Sequence, residues 1–184
     1  MTLRLPLLLI LIGLPFYAAA HNLIDGQHVA PVGVVNKGER ILRQGEPDYR
    51  SWNSARLDGK AGVVLHMAGR LSAKALNAPL IQAIADARFP AQTFRITTIV
   101  NTDEAIPGSA IFVRRSLESS KQETPAVQFV VDELGAVRRT WQLEAGGSAV
   151  VVLDKQGRVR FAKDGALTQS EVQQVIALIR QLLA

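Results

Sequence analysis

Residues 63–100, VVLHMAGRLSAKALNAPLIQAIADARFPAQTFRITTIV, decide the fold. Val63-Val64-Leu65-His66-Met67 is an apolar run of the length of a short buried strand. Beyond it, Leu76, Leu80, Ile84 and Ala87 recur at helical spacing, which predicts a long helix from Ser72 onward, with Ser72 capping its first turn. Pro79 has no amide proton to donate and should kink that helix near its middle. Phe94 to Val100, rich in β-branched residues, reads as a second buried strand and ends in the polar turn Asn101-Thr102-Asp103-Glu104. The order is that of an alternating α/β chain.

The flanking sequence extends the pattern. Ala110 to Ser119 is a second expected helix. Val127 to Val131 and Ala149 to Leu153 are two further strands, each followed by Asp with Gly three residues later, in Asp132-Glu133-Leu134-Gly135 and Asp154-Lys155-Gln156-Gly157. That spacing suits a tight turn with a left-handed residue. Arg158 and Arg160 alternate with Val159 and Phe161, predicting a strand with one wet face. A capping box, Thr168 to Glu171, starts a terminal helix whose apolar stripe is Val172, Val175, Ile176, Ile179 and Leu183. Upstream, Val29 to Val35 and Arg40 to Leu42 flank Asn36-Lys37-Gly38, which reads as the turn of an N-terminal hairpin. Tyr49 to Lys60 reads as irregular and ends in Asp58-Gly59.

The first twenty residues read as a cleavable export signal. Thr2 and Arg4 give a short basic start, Leu5 to Tyr17 is apolar, and Ala18-Ala19-Ala20 is the small-residue pattern that signal peptidase accepts. The apolar run is shorter than the ~18 to 20 residues a membrane span needs, and Pro6, Gly13 and Pro15 interrupt it. Cleavage between Ala20 and His21 leaves one domain, residues 21–184, expected in the periplasm with no transmembrane anchor. A domain of that size buries roughly 70% of the surface its unfolded chain exposes. The formal charge of +5 falls by one unit when Arg4 leaves. The remaining cations are scattered in pairs such as Arg114-Arg115 and Arg138-Arg139, and only 5% of the chain is aromatic, so no nucleic-acid partner is indicated.

The chain contains no cysteine. Thiolate attack, disulfide exchange and peroxide reduction at sulfur all require a deprotonated thiol, so these activities are excluded. His66 stands close enough in sequence to Ser72 to raise a Ser/His pair, against which stands a core histidine beside a capping serine. Asp103 and Glu104 follow a strand where α/β folds bind ligands, yet adjacent side chains usually diverge. A processed terminus at His21, with His28, could chelate copper; no spaced ligand cluster accompanies them. Gly146-Gly147 lacks the Lys and Ser or Thr of a phosphate loop, and no cofactor is expected.

The order of these elements resembles the thioredoxin-fold proteins of the periplasmic TlpA and peroxiredoxin type. More narrowly, Trp52-Asn53-Ser54-Ala55, Ala68-Gly69-Arg70-Leu71-Ser72-Ala73-Lys74, Thr98-Ile99-Val100-Asn101-Thr102-Asp103 and Ser148-Ala149-Val150-Val151-Val152-Leu153-Asp154-Lys155 are similar to the YtfJ family of secreted bacterial proteins. The resemblance implies an α/β, thioredoxin-like three-layer fold, a central mixed sheet flanked by helices, with an N-terminal β-hairpin. It also implies that redox-active relatives would place their cysteines near Leu71 and Lys74, and a cis-proline where this chain has Gly146-Gly147-Ser148. Both features are missing, which marks a vacated redox site. The expected function is binding of a periplasmic protein, peptide or small ligand at that edge, through Arg70, Leu71, Ser72, Lys74, Asn101 and Asp103. The competing readings are a Ser/His or metal-assisted enzyme, and a protein that binds the envelope surface through its basic charge.

Overall fold

A computed structural model describes residues 21–44, 46–106 and 127–184. The leader expected over residues 1–20 and the helix expected over Ala110 to Ser119 lie outside them. Among the described residues seven strands form one mixed sheet: β1 (Gly33–Arg43), β2 (Glu46–Asn53), β3 (Ala61–Ala68), β4 (Phe94–Asn101), β5 (Gln128–Asp132), β6 (Ser148–Leu153) and β7 (Val159–Asp164). Their order across the sheet is β2-β1-β5-β4-β3-β6-β7. The inner trio β5, β4 and β3 is parallel, and its neighbours on both sides run antiparallel.

The side-chain period of two sorts each strand between two cores. Val63, Leu65 and Met67 of β3, with Val100, Val150 and Val152, meet α1 (Leu71–Leu76), α2 (Ala78–Ala87) and α4 (Gln169–Leu183). Val64, Ile99, Val130, Ala149 and Val151 meet Trp52, Leu57, the N-terminal segment and α3 (Ala136–Trp141). Helices therefore cover both faces, giving the expected three layers. The capping box at Thr168 and Glu171 is present, and Val172, Val175, Ile176 and Ile179 of α4 are buried as their spacing predicts.

Three expectations are corrected. The helix after β3 is not one rod kinked at Pro79: it breaks at Asn77, and Pro79 sits in the first turn of α2, where its missing amide proton costs nothing. Ser72 does not cap α1; the cap position is Arg70, and Ser72 is exposed two residues further on, in the first turn. Asn36-Lys37-Gly38 is not the hairpin turn. β1 runs straight through it with a register shift between Val34 and Glu39, and the hairpin partner β2 begins at Glu46 and takes in Tyr49 to Asn53 of the stretch that reads as irregular.

Gly38 explains why a turn-like tripeptide can lie within a strand. Its φ is +76°, and a Cβ there would lie 2.3 Å from the carbonyl oxygen of Arg50 on β2. The bulge needs both the left-handed backbone and the close approach. Gly38→Ala should cost roughly 1–3 kcal/mol in chemical denaturation, with the loss localised to β1 and β2. An unchanged denaturation midpoint would show that the bulge is not held by this contact.

Candidate functional site

The parallel strands end side by side, since Ala68 pairs with Asn101 and Asn101 with Asp132. That places the start of α1, the turn after β4 and the start of α3 along one carboxyl edge of the sheet, the region where open α/β sheets take ligands. Asn101 is enclosed, at 0% exposure. Its side-chain oxygen accepts from the Asp103 amide at 3.2 Å, closing a 3-10 turn over Thr102–Glu104, and its Nδ2 donates to Glu104 Oε2 at 2.7 Å.

Glu104 joins the rest of the edge. Its Oε1 accepts from the Gly146 amide at 2.7 Å and faces Arg138 Nε of α3 at 3.6 Å. Its backbone oxygen accepts from Arg70 Nε at 2.8 Å, and the Arg70 guanidinium lies against Gly146, 3.3 Å from where a Cβ would stand. One residue thus ties together segments that follow β3, β4 and β5 and precede β6, the first through its backbone oxygen and the others through its carboxylate. Charge-assisted hydrogen bonds of this length are the stronger kind.

A second set of bonds fixes the helix break. Asn77 is 1% exposed and donates to Ser148 Oγ, which in turn donates to the His66 carbonyl at 2.9 Å. The buried amide of Asn77 can be satisfied only where α1 ends, so the break is set by a partner on β6. Asn77→Ala should cost roughly 1–3 kcal/mol, and faster hydrogen exchange at Ile81, whose amide bonds the Asn77 carbonyl, would report it. Exchange at Ile81 equal to that of the parent protein would remove this role.

Of the residues singled out from sequence, Arg70, Leu71, Ser72, Lys74 and Asp103 lie exposed along the edge, and Leu71 is 72% exposed. Asn101 is instead an internal support. Asp103 and Glu104 diverge, the first to solvent and the second into the network, so they form no working carboxylate pair. His66 is 1% exposed and its Nε2 has no hydrogen-bond partner, while Ser72 faces solvent; the two do not form a Ser/His unit. His21 Nδ1 accepts from the Leu23 amide beside the end of α3, whereas His28 bridges to Arg158 before β7. No group of three metal-ligating side chains occurs among the described residues.

Two participants escaped the sequence reading of the site: Arg138 and Asp132. Asp132 is 1% exposed; its Oδ2 accepts from the Val137 amide at 2.8 Å at the start of α3, and its Oδ1 is buried without a partner. Burial pushes the His66 imidazole down to about 4, partly offset by the Asp132 carboxylate and reinforced by the Arg138 cation. The spacing Asn101-x-x-Glu104 is the one signal that could have exposed the network, because Asn or Ser followed three residues later by Glu is the pattern of a reciprocal cap.

Comparison with known proteins places this edge in context. A solved Bacteroides thetaiotaomicron protein proposed to be a disulfide isomerase superposes with a TM-score of 0.61 at 14% identity, covering 89% of this chain and 92% of that one. A thioredoxin-like superfamily protein superposes with a TM-score of 0.56 at 19% identity, covering 83% and 96%. The fold is therefore thioredoxin-like, on a chain with no cysteine. An uncharacterised protein, YtfJ of Escherichia coli (strain K12), is 54% identical over the whole of both chains. The family described as "Bacterial protein of unknown function (YtfJ_HI0045)" matches residues 23–182. The chain belongs to the YtfJ family of bacterial proteins.

Proposed function

We infer that this is an exported, redox-inactive member of the thioredoxin fold that uses the carboxyl edge as a contact surface for a protein, peptide or small ligand. The supporting observation is the state of the first turn of α1. Leu71, Ser72 and Lys74 face solvent where redox relatives would carry thiols, and the backbone beneath them is held by Asn101, Glu104 and Ser148. A large apolar side chain 72% exposed on a hydrogen-bonded frame is what recognition surfaces offer. Leu134, 52% exposed in the turn after β5, adds a second apolar contact on the same edge.

Export rests on the leader sequence of residues 1–20, which ends at Ala20 and would release His21 as the new terminus. Among the described residues no helix is long and apolar enough to cross a membrane. The test is substitution of Arg70, Lys74 and Asp103 together. The variant should remain folded, less stable by about 0.5–1.5 kcal/mol for the lost Arg70 bond to the Glu104 carbonyl, and lose the partners that the mature protein captures from the periplasm. The same partners captured at the same yield would count against the edge.

A further inference from the structure

Away from the carboxyl edge, towards the amino ends of the parallel strands, one buried carboxylate holds two arginines. Glu39 is 9% exposed and lies opposite Arg50 in the pairing of β1 with β2, next to the bulge at Gly38. Its Oε2 accepts from Arg50 Nε at 2.8 Å and from Arg56 NH1 at 3.2 Å, with Arg50 NH2 also at 2.8 Å. The two guanidiniums therefore bring nitrogens to within about 6 Å of each other around a single negative charge. Arg95 of β4 stands behind them. Its guanidinium donates to the carbonyls of Arg56, Leu57 and Asp58, which fixes the 3-10 turn Ser54–Leu57 that carries Arg56.

This arrangement leaves both charge and donors unused. One carboxylate neutralises one of the two cations, and neither arginine makes another ion pair among the described residues. A guanidinium carries five N–H donors, of which Glu39 takes two from Arg50 and one from Arg56. The Glu39 side chain is 11% exposed, against 50% for Arg50 and 38% for Arg56, so the anion that orients the pair is hidden while the pair itself meets water. Arg43 and Asp48, on the same hairpin, show the ordinary one-to-one pairing at 2.7 Å. We propose that Arg50 and Arg56 form a clamp for a phosphate group, carried either by a soluble phosphate compound or by a lipid headgroup, with Glu39 as the residue that positions it. Guanidinium forks match phosphate and carboxylate oxygens in parallel pairs. Phosphate suits two forks at once, because its peripheral oxygens point in three directions and its second negative charge answers the surplus cation, whereas a carboxylate offers two coplanar oxygens and one charge.

The clamp is separate from the carboxyl edge and stands whether or not that edge binds. Titrating the mature protein with inorganic phosphate at constant ionic strength, followed by NMR of the arginine Nε–H signals, should give saturable shifts at Arg50 and Arg56. Arg56→Gln should weaken phosphate at least about tenfold, the scale of one charge-assisted hydrogen bond. Arg43→Gln, which removes the same charge from the same hairpin, should change it less than about twofold. Equal weakening by both substitutions, or acetate binding as tightly as phosphate, would overturn the clamp. Should Arg56→Gln not fold, Arg56→Lys decides: it keeps a charge beside Glu39 and loses the fork, so phosphate should weaken about fivefold, and an unchanged affinity overturns the proposal. Phosphatidylcholine vesicles with and without phosphatidic acid distinguish the sources. Adhesion to phosphatidic acid that Arg56→Gln abolishes supports the clamp with a lipid headgroup, and phosphate shifts without adhesion support it with a soluble compound; adhesion that Arg56→Gln leaves unchanged counts against it.

Discussion

Replacing Glu104 by alanine should destabilise the protein by roughly 3 kcal/mol, the scale on which a buried ion pair is broken from one side. The carboxylate accepts from Asn101 Nδ2 and the Gly146 amide and faces Arg138, and its side chain is only 9% exposed. Alanine strands all three groups in a place that water reaches poorly. Asn101 is the costliest, because it is fully enclosed and its amide would lose its acceptor. In a domain of this size the loss corresponds to about 10 °C in Tm. Glu104→Gln should fall between alanine and the parent, since one carbonyl oxygen remains to accept while the new amide faces a donor. Thermal and urea denaturation of the two variants would settle the matter. An alanine variant within 0.5 kcal/mol of the parent, on the order of an ordinary surface change, would mean that the edge is held elsewhere.

The second large effect is acid destabilisation through His66. Its imidazole titrates near 6.5 in an unfolded chain and at about 4 in the folded one, because burial opposes the charge. Above pH 6.5 both states are neutral and the group leaves stability unaffected. As pH falls from 6.5 towards 4, the unfolded chain takes up a proton that the native protein refuses, so stability drops. Below 4 both states are charged and the loss is complete, at about 3 kcal/mol. His66→Gln should abolish this part of the pH dependence while leaving the steeper fall of the carboxylates at lower pH. Glu171 belongs to that later window: the Lys163 ammonium and the Thr168 amide hold its carboxyl down to about 2, so its contribution is lost only between 4.5 and 2. Denaturation at pH 7.5 and pH 4.5 in parent and variant separates the two; identical slopes between those values would exclude His66 as the source.

The fold was legible where periodicity was long enough to decide. Residues 63–67 and 94–100 are continuous apolar runs, and 168–183 combine a capping box with a clean helical stripe; all three became the expected elements. The break at Asn77 was hidden because its cause is Ser148, 71 residues away, and nothing local distinguishes a buried, bonded Asn from an exposed helical one. Asn36-Lys37-Gly38 misled for a related reason: a left-handed glycine serves a bulge as well as a turn, and only the approach of Arg50 decides between them. Helix α3 has six residues, too few to show a period.

The site was half legible. Locating the edge required only strand ends and the order of elements, so Arg70, Leu71, Ser72, Lys74 and Asp103 were placed together from sequence and are exposed there. The residues that hold the edge could not be found in the same way. Glu104 reaches Gly146 across 42 positions, and Arg138 comes from a helix that the sequence did not announce. The placement of buried His66 and Asp132 follows from strand parity: His66 shares the face of Val64, and Asp132 that of Val130, only once the register of β3, β4 and β5 is known.

The central claim is that a scaffold vacated by thiol chemistry keeps its edge as a contact surface. Site-specific photocrosslinking in living cells tests it directly, with the reactive side chain at Leu71 on the edge or at Ile24, 54% exposed at the opposite end of the sheet beside the start of β7. The account predicts an adduct of discrete mass from Leu71, lost on combining it with the substitution of Arg70, Lys74 and Asp103, and none from Ile24. Adducts of equal yield from both positions, or none from Leu71, would contradict it.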